Sequence, residues 1–314
     1  VIPLKINYDD ILEEIKTPAL MFKKIIPYWK ESTFKKVNYV QKMVKGKCKV
    51  KLKYKEVYLD NVSKTRVCLY QSLESRDNPA VLLYLHGGGY AMGYPEMAEE
   101  LYYELITKLN VCVVAPDYRL SLEHPFPAGL NDCFDSLKWL MNEAKNFGID
   151  STKIIVAGDS AGGGLTCALS LLANKNDIML LGQLPLYPMI DDTMSTDSAI
   201  DNDAPVWNTL SSKIAWELYL REVKEITELA APARTREFEN LPPTYSFIGD
   251  LDPFLDETKT YFEQLDKAGV KSKLRVFKGC YHGFERAAPK AEVSKDANAF
   301  VVKALQEILN DEIE

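Results

Sequence analysis

The stretch Lys153-Ile-Ile-Val-Ala-Gly-Asp-Ser160-Ala-Gly-Gly-Gly-Leu-Thr-Cys-Ala-Leu-Ser-Leu-Leu172 decides how the rest of the chain is read. Its residues 154–157 form a short apolar run rich in β-branched side chains, which predicts a strand buried on both faces. Residues 165–172, rich in Leu and Ala, predict a helix. Between them, Gly158-Asp-Ser160-Ala-Gly162 has the G-x-S-x-G spacing of a nucleophile elbow. A strand that turns at once into a helix strains the residue at its apex. Chain segments then pass so closely that the positions two before and two after tolerate little beyond glycine. Ser160 Oγ is expected to stand clear of the sheet, with the Ala161 amide at a helix N-terminus facing any negative oxygen there. The pattern alone is only suggestive; its place between a buried strand and a small-residue helix favours catalysis.

Bulk properties narrow the setting. A chain of 314 residues can bury about three quarters of its extended-chain surface, so it needs no disulfide staples. Its six cysteines are scattered, form no C-x-x-C, and make no metal-like cluster with the three histidines. Reduced thiols and a cytoplasmic location are expected, since no signal-like stretch follows Val1 and no run reaches membrane-spanning length. A net charge of −7 argues against a nucleic-acid partner. Thirteen lysines between Lys5 and Lys53, with no arginine, are a local exception. The favoured reading is a solvated helix face, with an anionic membrane surface as the alternative and no stable insertion.

The order of elements points to an α/β fold. Asn7 is expected to cap a helix through Lys16, and residues 19–30 to form a second amphipathic segment interrupted by Pro27. Residues 1–45 are therefore taken as an N-terminal helical cap segment. Residues 46–189 are expected to form the first part of the core. Antiparallel edge strands are predicted at 52–59 and 65–71, and buried strands at 80–85, 111–115, 154–157 and 180–186. Helices are predicted at 96–109, 127–147 and around 165–172. Residues 190–240, acidic and off-pattern, are read as a cap insertion over the strand ends, where sites of open α/β sheets lie. The second part of the core, 241–314, carries strands at 244–249 and 273–277 and helices at 254–268 and 293–313. This alternation means a mostly parallel central sheet with helices on both faces.

The chemistry is distributed along this frame. His86-Gly87-Gly88-Gly89 follows a predicted strand, and consecutive glycines let backbone amides converge on one point, as an oxyanion requires. A phosphate loop is disfavoured because G-x-x-x-x-G-K-[ST] is absent. A serine alcohol needs a base. His86 belongs to the glycine loop, and His124 lies in a proline-flanked turn suited to buttressing. His282 follows the last strand and comes last in chain order, so it is assigned as general base. The base needs a carboxylate, and Asp250, Asp252 and Asp256 are the candidates; Asp252, held extended before Pro253, is preferred.

The motifs His86-Gly-Gly-Gly-Tyr90, Asp117-Tyr-Arg-Leu-Ser-Leu-Glu-His-Pro-Phe-Pro127, Gly158-Asp-Ser-Ala-Gly-Gly163, Gly249-Asp-Leu-Asp-Pro-Phe-Leu-Asp256 and His282-Gly-Phe284 resemble the hormone-sensitive-lipase-type α/β-hydrolases, the group IV microbial carboxylesterases. The resemblance runs from about residue 80 to the C-terminus. It implies an α/β-hydrolase fold with a helical cap and a triad of Ser160, Asp252 and His282. It also implies an oxyanion hole from the amides of Gly88, Gly89 and Ala161, and hydrolysis of short- to medium-chain esters without a cofactor. Tyr90 stands where Trp is common in that family, and Ser121-Leu122 where Ala-Pro is common; neither touches the chemistry, and what the resemblance implies does not extend to the shape of the pocket. Tyr90 and Trp207 are the expected substrate-binding residues.

Three functions follow for comparison. The first is a serine carboxylesterase acting on a small-molecule ester. The second is a peptidase or amidase on the same fold. The third is a non-catalytic small-molecule receptor, which the presence of His282 disfavours. An exposed edge strand could pair two subunits into a homodimer.

Overall fold

A computed structural model describes residues 6–74 and 79–311. The chain opens with α1 (Glu13–Ile25) and α2 (Glu31–Gln41), followed by β1 (Lys53–Tyr58), β2 (Arg66–Gln71) and β3 (Ala80–Leu85). Next come α3 (Glu99–Lys108), β4 (Val111–Pro116), α4 (Ala128–Glu143), β5 (Ile154–Asp159), α5 (Ala161–Asn174) and β6 (Gly182–Leu186). The chain continues through α6 (Thr209–Leu220), β7 (Thr244–Gly249), α7 (Leu255–Lys267), β8 (Ser272–Phe277), α8 (Phe284–Ala287) and α9 (Glu292–Asp311). One sheet takes the order β1-β2-β4-β3-β5-β6-β7-β8. β2 runs antiparallel to both β1 and β4, and every later pairing is parallel.

Burial explains this division. Every residue of β3, β4, β5, β6 and β7 is buried, which requires cover on both faces of the sheet. By contrast, β1 and β8 alternate with exposed positions, as edge strands do. The β3–β5–β6 register puts Leu85 beside Gly158 and Asp159 beside Leu186, so the carboxyl ends of the central strands finish together under Ser160.

The N-terminal segment differs from its expected form. Asn7 caps only a short 3-10 turn, Tyr8–Asp10, its side chain accepting from Asp9 N at 3.1 Å. The α-helix starts later and passes through Pro18. Burial of Ile15 and Ala19 outweighs the one hydrogen bond that Pro18 cannot donate. The helix stops before Pro27, whose ring keeps Ile26 out of the helical region. Elsewhere 3-10 turns replace the predicted helix ends: Pro95–Ala98 precedes α3, and Ala144–Phe147 follows α4 and closes at Gly148, φ +68°. The expected end of the last helix at residue 313 lies outside the described residues. The four-residue α8 has too few positions for a periodic signal and was not anticipated.

The two off-pattern segments pack against each other. Trp29 N donates to Ser211 Oγ (3.0 Å) and its Nε1 to Val206 O (2.9 Å), while Asn208 Nδ2 donates to Pro27 O (2.8 Å). Trp29 stacks on Phe34 at 5.4 Å, and Phe34 meets Trp207 at 6.3 Å. Residues separated by some 180 positions thus form one aromatic layer.

Candidate active site

Ser160 sits where β5 becomes α5, with φ +56° and ψ −118°. That conformation is sterically costly for a non-glycine residue, and its surroundings enforce it. The Ser160 amide donates to Leu186 O (2.9 Å), and its carbonyl accepts from Gly164 N and Met189 N. A Cβ at Gly158 would meet Leu85 O at 2.4 Å, and one at Gly162 would meet the same oxygen at 2.0 Å. The spacing of glycines around the serine is therefore a packing requirement.

Two later loops complete the site. Asp252 leaves the end of β7 and His282 follows β8, and the two loops are tied by Leu251 N donating to Cys280 O (3.0 Å). His282 Nε2 lies 2.8 Å from Ser160 Oγ, and His282 Nδ1 lies 2.7 Å from Asp252 Oδ2. The other Asp252 oxygen accepts from Phe254 N at 2.9 Å, which locks the carboxylate. The two competing carboxylates are engaged elsewhere: Asp250 Oδ1 accepts from Gly279 N (2.7 Å) and Asp256 Oδ2 from Ser198 N (2.9 Å). Ser160 is 6% exposed, His282 4% and Asp252 1%, so the hydrogen-bond chain operates largely away from water.

The glycine loop leaves β3 and packs on the elbow, where a Cβ at Gly87 would meet Asp159 O at 2.8 Å. Gly88 and Gly89 have φ +122° and +59°, the left-handed side that favours glycine. Their amides enter no hydrogen bond among the described residues, and the Ala161 amide, first in α5, has no intrahelical partner. His86 anchors the loop. Its Nδ1 pairs with Gly87 O at 2.8 Å, its ring stacks on Tyr118 at 4.2 Å, and its carbonyl accepts from Tyr118 Oη at 2.6 Å. Burial pushes the His86 imidazole down to about 4, so it stays neutral at ordinary pH.

The structure separates the remaining expected residues. Trp207 flanks the site: its indole would lie 2.3 Å from a Cβ at Gly89, and its ring is 6.1 Å from that of His282. A bond from Nε1 to Ser212 Oγ (2.9 Å) fixes it there. Tyr90 is tied into the surrounding scaffold. Its hydroxyl is taken by Met189 O (2.7 Å) and its ring stacks on Tyr219 at 3.9 Å, so it joins the glycine loop to α6. His124, expected to buttress, is exposed on its turn, because the proline-flanked chain carries it outward.

Several contributors carried no usable sequence signal. Tyr187 (5.0 Å) and Phe254 (5.1 Å) hold the His282 ring edge-on, and the Tyr187 hydroxyl bonds to buried Glu285. Burial raises the Glu285 carboxyl above its ordinary range. Asp159, in the quoted motif itself, accepts from Tyr84 Oη (2.9 Å) and Arg286 (3.0 Å), bracing the elbow from below. Glu257 is buried in α7 and accepts from the amides of Ile190 and Asp191 at 2.8 and 3.1 Å, pinning the chain just after β6. Away from the site, Glu56, Cys68 and Glu96 converge as metal ligands would. The Arg66 guanidinium already bridges the two carboxylates at 2.9 and 2.7 Å, and burial pushes the Cys68 thiol up to about 12. That donor set does not suit a cation.

A serine, histidine and aspartate joined in sequence above a mostly parallel sheet define a hydrolase of the α/β class. The family model for the alpha/beta hydrolase fold matches residues 82–286, and the chain belongs to that family, in its hormone-sensitive-lipase-type branch. It is 30% identical over 268 residues to carboxylesterase NlhH of Mycobacterium tuberculosis, covering 83% of this chain and 84% of that one. It is 30% identical over 243 residues to ethyl acetate hydrolase of Pseudomonas putida, covering 74% and 76%. Among solved structures, a bacterial heroin esterase superposes with a TM-score of 0.88 at 27% identity, covering 97% of this chain and 99% of that one.

Proposed function

We propose that the protein is a serine carboxylesterase in which Ser160 is the nucleophile, His282 the general base and then acid, and Asp252 the carboxylate that orients and supports the imidazole. The observation that carries this reading is the continuous hydrogen-bond chain Ser160 Oγ–His282 Nε2–His282 Nδ1–Asp252 Oδ2, at 2.8 and 2.7 Å. Asp252 takes the Nδ1 proton in a hydrogen bond, which leaves Nε2 free to accept from the serine.

Ser160 Oγ attacks the ester carbonyl carbon as its proton passes to His282 Nε2. The carbonyl π electrons move onto oxygen, which is held by the amides of Gly88, Gly89 and Ala161. Each such donor is worth about 2.7–4 kcal/mol to the transition state. Collapse of the tetrahedral intermediate breaks the C–O bond, and the imidazolium gives its proton to the departing alkoxide. Water then attacks the acyl carbon as its proton passes to His282 Nε2; the C–Oγ bond breaks, the imidazolium returns that proton to Ser160 Oγ, and the acid leaves. No cofactor enters these steps.

The substrate class is a short- to medium-chain ester, favoured by the Trp207 indole beside the donor loop and by a relative named for ethyl acetate hydrolysis. Six free cysteines support a reducing, cytoplasmic setting. The test is a fluorophosphonate probe with p-nitrophenyl acetate and butyrate as substrates. The wild-type chain is expected to label and turn over, and Ser160→Ala to do neither. Retained turnover in that variant would refute the assignment. Failure of the wild-type chain to label would favour the receptor reading.

A further inference from the structure

The lysine-rich N-terminal segment is not simply a solvated face. Of the seventeen large apolar side chains left exposed among the described residues, seven fall between Leu12 and Met43. On α2 they form a stripe. Tyr39, Val40 and, in the turn that follows, Met43 lie on one face of the helix, with Lys36 one turn before them on the same face. Tyr39 is 72% exposed, Val40 54% and Met43 60%. On α1, Met21 (61%) and Ile25 (76%) stand one turn apart beside Leu20 and Lys24.

The opposite face of α2 is fully used. Phe34 is buried against Trp29 and Trp207, Asn38 Nδ2 donates to Ala91 O (2.9 Å), and Gln41 Oε1 accepts from Gly93 N (3.1 Å). One helix therefore touches the segment after the glycine loop on one side and presents an unpartnered apolar stripe on the other. Charge selects what covers it. Residues 12–43, which carry the stripe, hold seven lysines against three acidic residues in a chain at −7, and Lys24, Lys36 and Lys42 are exposed with no ion pair among the described residues. A second copy in two-fold contact would bring two such lysine sets together. Apolar side chains reaching past lysines whose stems extend to a headgroup plane match an anionic bilayer.

We propose that α1 and α2 dock the protein peripherally on an anionic lipid surface, with Leu20, Met21, Ile25, Tyr39, Val40 and Met43 entering the headgroup–acyl boundary and the exposed lysines pairing with lipid phosphate or carboxylate. Docking lays the helix that backs Trp207 and the glycine loop against the membrane. Esters carried in the bilayer then meet the cap without crossing bulk water.

The test is flotation of the full chain with vesicles of phosphatidylcholine alone or mixed with phosphatidylserine, a readout independent of ester turnover. Binding is expected only to the mixed vesicles and is expected to be released at about 0.5 M salt. A lysine at such a surface is worth about five-fold in partitioning, so Lys24→Gln/Lys36→Gln/Lys42→Gln should lower it roughly 100-fold. Tyr39→Ser/Val40→Ser should lower it independently. Both variants should keep wild-type turnover of p-nitrophenyl acetate, which separates lost docking from lost fold. Equal binding to neutral vesicles, no binding, or wild-type binding by the lysine variant overturns the proposal. So does a dimer in light scattering that Tyr39→Ser/Val40→Ser dissolves, which assigns the stripe to a second copy.

Discussion

Asp252→Asn tests the site most directly, because the structure dictates how the new amide must orient. Asp252 makes two bonds, accepting from Phe254 N at 2.9 Å through Oδ1 and facing His282 Nδ1 at 2.7 Å through Oδ2. In the variant, the buried Phe254 amide still requires an acceptor, so the Asn oxygen takes the Oδ1 place. The Asn NH2 group then points at Nδ1 and forces that nitrogen to accept. The imidazole proton moves to Nε2, toward Ser160 Oγ, and the base can no longer take the serine proton. Shape and volume are nearly unchanged, so folding should survive. A wrong tautomer of this kind lowers kcat by about 10⁴, or roughly 5 kcal/mol of transition-state stabilisation. The assay is steady-state hydrolysis of p-nitrophenyl acetate together with the rate of fluorophosphonate labelling, both of which should fall. Asp250→Asn and Asp256→Asn provide the controls. Among the described residues their carboxylates accept from the backbone amides of Gly279 and Ser198, away from His282, and each should change kcat by less than about ten-fold. An Asp252→Asn enzyme retaining a tenth of wild-type kcat, or an Asp250→Asn enzyme losing most of it, would falsify the assignment.

Further outcomes follow from the packing. Because burial pulls His86 from 6.5 down to about 4, the unfolded chain binds a proton there more readily than the folded one. Its stabilising effect is fully present above pH 6.5 and fades as pH falls toward 4, a loss of roughly 3 kcal/mol. Urea titrations of wild type and His86→Gln at pH 7 and pH 4.5 should show a smaller pH dependence in the variant, and an identical dependence would contradict the account. Gly162→Ala places a Cβ 2.0 Å from Leu85 O and 2.6 Å from His86 O, both backbone atoms, and should cost about 3 kcal/mol or more in urea unfolding. Trp207→Ala removes the indole beside Gly89 and should raise kcat/KM for octanoate relative to acetate esters by about ten-fold or more. An unchanged ester profile would show that the indole does not bound the acyl site.

Much of this molecule is legible in the linear chain, for local reasons. Strands β3 and β7 match their predicted residues because fully buried parallel strands must be continuous apolar runs. The serine and its flanking glycines are readable because a strand–helix elbow imposes its spacing within five residues. Likewise the helix stop at Gly148 is a single-residue requirement for positive φ. What the chain could not reveal depends on separation. Asp250, Asp252 and Asp256 lie within seven positions and are chemically identical; only the partners brought by Gly279, Ser198 and His282 distinguish them. Tyr90 meets Tyr219 only through the packing of α6, and Tyr187 takes its place beside His282 only because β6 and β8 join one sheet. The lysines and apolar residues of α1 and α2 likewise read as an ordinary amphipathic surface. Which side faces in is a tertiary decision: Phe34, Asn38 and Gln41 turn toward the glycine loop, and Tyr39, Val40 and Met43 are left outside. Periodicity and sterics act over a few residues and so are written locally, whereas a side chain's partner is set by contacts tens to more than a hundred positions away.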